Sequence, residues 1–252
     1  MITIKSEHEI ELMRKAGYLV SLTHQYLKPF IKPGITTKEL DKLAEDFIRS
    51  HDGIPTCKGY QGFPASLCTS INDEVVHGIP SNRKLKNGDI ITIDMVICYH
   101  GYQGDAAWTY AVGDINDKKK YLMEHTEKAL YEGIKMVHPG AHIGDISNAV
   151  EVYAKKHNLG IVKELVGHGI GTNMHEAPDV PNYGKPGTGP KLKEGMTICI
   201  EPMLNLGTAN VGILDDDWTI VTKDGKPSAH YEHTVLVTKD GYEILTPRLE
   251  EE

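Results

Sequence analysis

An internal repeat constrains the fold of this chain more than any other feature of its sequence. The triplet Lys-Pro-Gly at 32–34 recurs as His-Pro-Gly at 138–140, an offset of 106 residues. Further along, Leu-Lys-Asn-Gly at 85–88 recurs as Leu-Lys-Glu-Gly at 192–195, an offset of 107 residues. Because the matches keep their order and nearly keep their offset, they indicate two related halves.

No stretch of linker-like composition divides the chain between these halves. We therefore predict a single catalytic domain over residues 1–252, with internal halves at about 1–110 and 111–252 related by pseudo-two-fold symmetry. The chain has 252 residues, of which 40% are hydrophobic, and this is enough to bury a full core. Each half reads as helices followed by strands, which predicts an α/β fold.

Two capping boxes predict helix starts in the first half, Ser6 with Glu9 and Thr36 with Glu39. Apolar residues recur at helical spacing after each of them. Strands and a functional loop are expected where period-two patterns and turn residues occur. The remaining predicted elements are helices near 117–137 and 144–158, strands at about 66–71, 89–98, 105–112, 196–201 and 230–238, and a long loop at 172–190.

Charge and cysteine usage limit the class of protein. The chain has 27 Lys and Arg against 35 Asp and Glu, a net charge of −8, which argues against binding nucleic acid through phosphate contacts. Its four cysteines form no C-x-x-C pair, so neither a zinc ribbon nor a secreted disulfide scaffold is predicted. Neither a signal peptide nor an apolar run of roughly 18–20 residues is present. We expect a cytoplasmic protein that binds neither nucleic acid nor membranes.

Two acidic residues stand in a predicted hairpin where apolar side chains are expected. Asp94 interrupts a run of Ile, Met and Val, and Asp105 follows a turn near 99–101. The residue numbers of each opposed pair in a hairpin add up to the same value. A turn centred on the bond between residues 99 and 100 gives a sum of 199, which makes Asp94 and Asp105 direct cross-strand neighbours. Like charges that face each other destabilise a sheet. The hairpin therefore predicts a positively charged group between the two carboxylates.

The second half repeats this anomaly at Glu201 and Glu232. The repeat aligns Glu201 with Asp94, and two-fold packing would bring all four carboxylates to the junction between the halves. His168 adds an imidazole whose flanking glycines permit close approach. Four carboxylates and one imidazole, without a thiolate, suit a pair of divalent ions such as Mn, Fe, Co or Zn. The alternative is that each acid is a salt-bridged or hydrogen-bonded strand residue.

Short motifs surround these residues along the chain. They are Ser-Ile-Asn at 70–72, Val-His-Gly-Ile-Pro at 76–80, Gly-Asp-Ile at 88–90, Ile-Asp at 93–94, Gly-Asp at 104–105, Gly-His-Gly-Ile-Gly at 167–171, His-Glu-Ala-Pro at 175–178, Glu-Pro-Met at 201–203 and Tyr-Glu-His-Thr at 231–234. With these motifs the chain resembles the type I methionine aminopeptidases over essentially its whole length. The resemblance implies the pita-bread fold, an α/β sandwich of two pseudo-symmetric halves in which helices cover antiparallel sheet. Without a long N-terminal extension, the chain is similar to the short bacterial form.

The resemblance implies a role for each candidate metal ligand. Asp94 and Asp105 would hold one divalent ion, and His168 and Glu201 would hold the other. Asp105 and Glu232 would bridge both ions. Glu201 would also be the general base of the reaction.

Further residues take implied roles in substrate binding. His175 would help to stabilise the tetrahedral intermediate, and His77 would meet the substrate near its scissile amide. Met174 departs from the bulky aromatic residue that relatives often have there. Asn72 and Ser228 match positions that help to bind a monovalent cation in relatives. The implied methionine pocket comprises Cys57, Tyr60, Phe63, Cys68, Met174 and Trp218.

The implied activity is hydrolysis of the N-terminal methionine bond of newly made proteins when the second residue is small. The partners would be nascent polypeptide N-termini, with transient association with the ribosome, and the protein would act as a monomer. One alternative is an X-Pro aminopeptidase or prolidase-like enzyme of the same fold, against which the stretch 57–77 argues. Another is a metal-free binding protein on the same scaffold, which would be expected to lack some of the five ligands.

Overall fold

The structure is a computed structural model that describes residues 2–249, so the predicted domain of 1–252 extends past the described residues at both ends. Both capping boxes form as predicted, with the Ser6 and Thr36 side chains accepting from the N–H groups of Glu9 and Glu39. None of the helices within residues 2–249 has the length and apolar character needed to cross a membrane. The α-helices are α1 (Glu7–Leu27), α2 (Thr37–Ser50), α3 (Asp117–Ile134) and α4 (Ile143–Lys156).

Fifteen strands within the described residues form four sheets, all with antiparallel pairing. They are β1 (Ile54–Pro55), β2 (Cys68–Ile71), β3 (Glu74–Val76), β4 (Ile90–Tyr99), β5 (Tyr102–Ala111), β6 (Gly160–Ile161), β7 (Gly167–Gly169), β8 (Glu176–Val180), β9 (Thr197–Ile200), β10 (Met203–Asn205), β11 (Val211–Ile213), β12 (Ile220–Thr222), β13 (Ser228–His230), β14 (His233–Thr238) and β15 (Gly241–Ile244).

The first half contains α1, α2 and a sheet built on β4. One edge of β4 pairs with β5, and the other edge pairs with β1 and β2 at different positions along its length. Helix α1 lies against β4 and β5. A Cβ on Gly104 would lie 2.5 Å from the backbone nitrogen of Gly17, so these two glycines allow the helix to touch the strand directly.

The second half repeats this order with α3, α4 and two further sheets. One sheet has the strand order β15-β14-β9-β7-β8 and the other the order β13-β10-β6. Helix α3 packs on α4 and contacts β9, β10 and β13. The fourth sheet, β11-β12-β3, joins strands from both halves. The helices therefore cover antiparallel sheet in each half, as the repeat and the α/β prediction imply.

The predicted register of the β4–β5 hairpin is wrong by two residues. The residue numbers of the observed pairs add up to 201, for example for Tyr99 with Tyr102, rather than to 199. The reason is a two-residue turn at His100 and Gly101, whose φ angles of 48° and 89° are both positive, as a tight hairpin turn requires. Because the shift is even, side chains keep the predicted faces.

Two other sequence predictions also change. The strand expected at 230–238 is interrupted, because residues 231 and 232 lie between β13 and β14 without belonging to either. There the Glu232 N–H donates to the Ala107 carbonyl oxygen of β5, 2.8 Å away. The long loop expected at 172–190 contains β8, which pairs with β7.

Two threonine hydroxyls connect the halves on either side of the interruption between β13 and β14. The Thr109 hydroxyl donates to the His230 carbonyl oxygen at 2.9 Å and accepts from the His230 N–H at 3.1 Å. Thr234 makes the same pair of bonds with the backbone of Asp105. All four groups are buried. The junction between the halves is therefore fixed by side-chain hydroxyls that act as strand partners.

Candidate metal centre

Asp94 and Asp105 project from the same face of the β4–β5 hairpin. Asp94 is paired with Ala107, and Asp105 is paired with Val96, so the two acids are diagonal neighbours rather than directly opposed. On the other edge of β4, Cys68 of β2 is paired with Asp94. The intervening residues of β5 face the opposite way, toward α1. The hairpin thus presents two carboxylates on the face turned away from the helix.

The second half contributes its two acids from the ends of strands. Glu201 directly follows β9, and Glu232 lies in the interruption between β13 and β14. The backbone hydrogen bond from Glu232 to Ala107 places this residue next to the hairpin that carries Asp105. Because Glu232 leaves the sheet here, its side chain reaches the same interior space as those of Asp94 and Asp105.

His168 lies in β7 with its Nε2 atom directed at two of the carboxylates. Nε2 is 3.7 Å from Oδ2 of Asp105 and 3.5 Å from Oε1 of Glu201. The flanking glycines are required, because a Cβ on Gly167 or Gly169 would lie 2.3 or 2.2 Å from a carbonyl oxygen of a neighbouring strand. The strand therefore approaches its partners closely enough to bring the imidazole to the acids.

The tautomer of His168 follows from its hydrogen bond. Its Nδ1 atom lies 2.9 Å from the carbonyl oxygen of Gly169, which can only accept. Nδ1 therefore carries the hydrogen, and the lone pair of Nε2 faces Asp105 and Glu201. This is the arrangement in which a backbone carbonyl prepares an imidazole to bind a metal.

Two of the four acids, Asp105 and Glu232, are buried, and Asp94 and Glu201 are half-buried. Asp105 and Glu232 are only 3% and 2% exposed. Burial raises the pKa of Asp94 to about 7, and it raises the pKa of Asp105, Glu201 and Glu232 well above the usual range, with the neighbouring carboxylates adding to the effect.

The donor set fits a divalent cation. Within residues 2–249, Oδ1 of Asp105 and Oε1 of Glu232 are buried atoms without a hydrogen-bond partner. Buried carboxylates normally carry a compensating partner. Asp105 and Glu232 also lie with His168 and Cys199 in a group whose candidate ligand atoms are all within 4.8 Å of one another. Oxygen and imidazole donors at this spacing match the ligands of divalent first-row metals.

Cys199 was not a predicted site residue, although its thiol lies in the same group of candidate ligand atoms. Burial and the neighbouring acids, Glu232 first, raise the pKa of the Cys199 thiol well above its usual range. Its sulfur lies 3.6 Å from the hydroxyl oxygen of Thr234.

His230 is the site residue that the sequence interpretation missed. It is 1% exposed, and among the described residues both of its ring nitrogens lack a hydrogen-bond partner. Nε2 of His230 lies 3.6 Å from Oε2 of Glu201, on the side of that carboxylate opposite His168. Burial lowers the pKa of His230 to about 3, so the ring is neutral. The available signal was its position two residues before Glu232, which places both side chains on one face.

His77 and His175 lie at the same cavity. His77 has a positive φ of 60° although it is not glycine, and its ring meets Trp218 edge-on at 6.3 Å between centroids. Burial, followed by the charge of His175, lowers the pKa of His77 to about 4. Nδ1 of His175 lies 2.8 Å from the hydroxyl of Tyr60, and its ring lies 4.4 Å from that of His168. Burial also lowers the pKa of His175.

A cavity of about 190 Å³ joins these groups. Its polar end holds the acids and the histidines, and its other end is apolar, with the ring of Phe63 edge-on to that of Trp218 at 5.0 Å. The structure thus brings every predicted metal ligand and every predicted methionine-pocket residue to one space. The lining residues are Cys57, Tyr60, Gln61, Phe63, Cys68, His77, Asp94, Val96, Asp105, His168, Met174, His175, Glu201, Trp218 and Glu232.

Asn72 and Ser228 are neighbours outside this cavity. The Ser228 N–H donates to the Asn72 carbonyl oxygen at 2.8 Å. The side-chain oxygen of Asn72 accepts from the ammonium of Lys119 at 2.7 Å, and the same ammonium donates to the Gly88 carbonyl oxygen. The Lys119 ammonium, a cation that belongs to the protein, therefore already contacts the Asn72 side chain.

Comparison with known proteins gives consistent similarities. The profile of metallopeptidase family M24 matches residues 11–239. The chain is 51% identical to methionine aminopeptidase 1 of Bacillus subtilis over 246 residues, which is 98% of this chain and 99% of that protein. It superposes on the crystal structure of methionine aminopeptidase from Rickettsia prowazekii with a TM-score of 0.97 and 46% identity, covering 98% of this chain and all of that one.

A more distant likeness concerns the fold alone. The prolidase of Pyrococcus horikoshii is 23% identical with a TM-score of 0.79, and the match covers 64% of that protein. At this identity the shared architecture carries no information on substrate. The near relatives, by contrast, match over the full length, which confirms the predicted pita-bread arrangement of helices over antiparallel sheet.

Proposed function

The chain belongs to the methionine aminopeptidases of metallopeptidase family M24, and from that premise we propose that the cluster of Asp94, Asp105, His168, Glu201 and Glu232 is its metal and catalytic centre. The enzyme is a metal-dependent aminopeptidase that removes the N-terminal methionine of nascent proteins. The observation that carries the assignment is the bare Nε2 of His168 facing carboxylates in a cavity with an apolar end.

The proposed centre holds two divalent ions, each Co, Mn, Fe or Zn. Asp94 and Asp105 would hold one and His168 and Glu201 the other, with Asp105 and Glu232 shared between them. When bound, such ions lower the pKa of water and polarise a carbonyl group. Two cations would also offset the repulsion among four carboxylates, which supports the assignment.

Glu201 is the proposed general base. Its Oε1 atom lies 3.5 Å from Nε2 of His168 and its Oε2 atom lies 3.6 Å from Nε2 of His230. The carboxylate lines the cavity, where it would accept a proton from the attacking water and pass it to the leaving amine. His175 would donate a hydrogen bond to the oxygen that becomes negatively charged. His77, at the cavity wall beside Trp218, would contact the substrate near the scissile amide.

The proposed methionine pocket is the apolar end of the cavity. A thioether side chain is apolar and flexible, and a wall of thiol, thioether and aromatic groups suits it. Met174 is buried there. The proposed pocket residues are Cys57, Tyr60, Phe63, Cys68, Met174 and Trp218.

Several finer features remain predictions. These are the requirement for a small second substrate residue, action as a monomer in the cytoplasm, transient ribosome association, and a single catalytic domain. The monovalent cation near Asn72 and Ser228 also remains a prediction, and Lys119 is the group with which it would compete.

The test is hydrolysis by the purified full-length chain with added Co(II) or Mn(II). Release of methionine from Met-Ala-Ser is expected, with little action on Xaa-Pro peptides. Activity on Xaa-Pro peptides alone would replace the proposed specificity by the prolidase-like alternative. Metal binding without hydrolysis of either peptide would favour a binding protein on this scaffold. The Glu201→Ala variant should be inactive, and near-full activity would exclude Glu201 as the base.

A further inference from the structure

Tyr60 makes a hydrogen bond to one of the proposed catalytic histidines. Its hydroxyl oxygen lies 2.8 Å from Nδ1 of His175, and the two rings meet edge-on with centroids 5.4 Å apart. A short 3-10 turn at Tyr60–Gly62 holds the tyrosine, with a positive φ of 89° at the preceding Gly59 and of 49° at Gln61. The tightly bent backbone therefore carries the hydroxyl to the histidine.

The direction of this bond decides what His175 presents to the cavity. A neutral imidazole has one N–H donor and one bare acceptor nitrogen. If the hydroxyl donates to Nδ1, then Nε2 keeps its hydrogen. If Nδ1 donates instead, Nε2 is a bare lone pair. Within residues 2–249 the ring of His175 has one hydrogen-bond partner, the hydroxyl of Tyr60, so this bond is the protein contact that can distinguish the two forms.

The surroundings favour an N–H at Nε2. The cavity that His175 lines also contains four carboxylates. Negative charge near an imidazole attracts an N–H and repels a lone pair. His168, whose ring is 4.4 Å away, shows the opposite case. There a carbonyl oxygen fixes the hydrogen on Nδ1 and leaves Nε2 bare.

We propose that Tyr60 is a positioning residue that donates its hydroxyl hydrogen to Nδ1 of His175 and so holds Nε2–H as a donor toward the substrate oxygen. Two adjacent histidines then take opposite tautomers, because one is held by a carbonyl oxygen and the other by a hydroxyl. His168 offers a lone pair to a metal, and His175 offers a hydrogen to the oxygen on which negative charge develops. The inference rests on the role proposed for His175 above.

The tautomer can be read without any substrate. The full-length chain is labelled with ¹⁵N-histidine and loaded with diamagnetic Zn(II), and long-range ¹H–¹⁵N spectra are recorded. The His175→Gln variant identifies the His175 signals by their loss. Protonated Nε2 and unprotonated Nδ1 are expected in the wild-type protein. A hydrogen on Nδ1 of His175 would overturn the proposal. This result is read from the wild-type protein, so it does not depend on a variant whose fold has changed.

The Tyr60→Phe variant tests the contribution of the hydroxyl while keeping the ring in the pocket wall. The Nδ1 resonance of His175 should move toward the position of an unbonded nitrogen, whereas Tyr242→Phe, a change to an exposed side chain of β15, should leave it in place. Loss of one hydrogen bond in the transition state should lower kcat roughly 3–10-fold with KM nearly unchanged.

A Tyr60→Phe enzyme with wild-type kcat, or one changed only in KM, would contradict the proposal. The two experiments also separate this inference from the proposed function. A chain that releases no methionine would defeat the proposed function, but its spectra would still report the tautomer of His175.

Discussion

The hydroxyl of Thr234 is a backbone partner of Asp105, accepting from its N–H at 3.0 Å and donating to its carbonyl oxygen at 2.8 Å. Thr234 belongs to β14 in the second half, and Asp105 belongs to β5 in the first. One side chain therefore fixes the position of the acid that is proposed to bridge both ions.

Replacement of this hydroxyl should destabilise the protein. Thr234→Val keeps the shape of the side chain but leaves the buried N–H and carbonyl of Asp105 without this partner. We expect a loss of about 2–3 kcal/mol in the free energy of unfolding, measured with urea in the presence of a chelator. The matched change Thr238→Val, at the end of the same strand, should have an effect within about 0.5 kcal/mol. Equal effects of the two changes would refute the assigned role of Thr234.

Divalent ions should stabilise the fold. A ligand that binds only the folded state adds about 2.7 kcal/mol at a concentration one hundred times its Kd. Thermal unfolding with Mn(II) or Co(II) should therefore occur at a higher temperature than with a chelator. The Glu232→Gln variant, which loses a proposed bridging charge, should show a smaller shift. A Glu232→Gln shift as large as that of the wild type would argue against the bridge.

Glu201→Gln should separate catalysis from folding. The amide keeps the size of the carboxylate but cannot accept the proton, so kcat should fall by at least about 100-fold. Metal content must be measured on the same sample, because Glu201 is also a proposed ligand. A variant that binds the full complement of metal and turns over at the wild-type rate would rule out the proton-transfer role.

The His230 side chain should lower the stability of the metal-free protein. Its two ring nitrogens are buried without partners within the described residues, and such groups typically cost about 1–3 kcal/mol each. We expect His230→Leu to unfold at higher urea than the wild type in the presence of a chelator, with a gain of about 1 kcal/mol. A clear loss of stability instead would mean that the imidazole has a favourable contact in the metal-free protein.

His24 should make stability depend on pH. It is fully buried in α1, its ring stacks on Trp108 at 4.0 Å, and burial lowers its pKa to about 3. In the unfolded chain the pKa is about 6.5, so between these values the unfolded state binds more protons. The contribution of His24 is therefore complete above about pH 6.5 and is lost progressively as the pH falls toward 3.

The measurement compares the wild type with His24→Phe, which keeps an aromatic ring against Trp108 but does not titrate. Urea unfolding at about pH 7.5 and about pH 5 should show a larger loss of stability in the wild type. Parallel losses in the two proteins would indicate that His24 is protonated as easily in the folded state as in the unfolded state.

The sequence was sufficient where local chemistry determines the structure. The capping boxes at Ser6 and Thr36 act over three residues, and both helix starts were predicted correctly. The face of the strand on which Asp94 lies was also predicted, because successive side chains alternate between the two faces of a strand whatever its partner is. The repeat then suggested that acids from both halves meet.

Other features depend on contacts between distant segments. The turn at His100 and Gly101 takes two left-handed residues, one of which is not glycine, and this moved the register by two positions. The interruption before β14 arises from the bond between Glu232 and Ala107, which are 125 residues apart (232 − 107) and leave no local signal. His230 was missed for a related reason, because its importance lies in what it lacks, a partner for either ring nitrogen.

The division of the proposed ligands between the halves has a consequence during synthesis. Asp94 and Glu232 are separated by 138 residues (232 − 94). At roughly 5–20 residues per second, a ribosome makes Glu232 roughly 7–28 s after Asp94. The first hairpin thus leaves the ribosome with two unpaired acids well before the residues that complete the centre exist. An enzyme that processes nascent chains would in this way lack its own complete metal centre until Glu232 has been made.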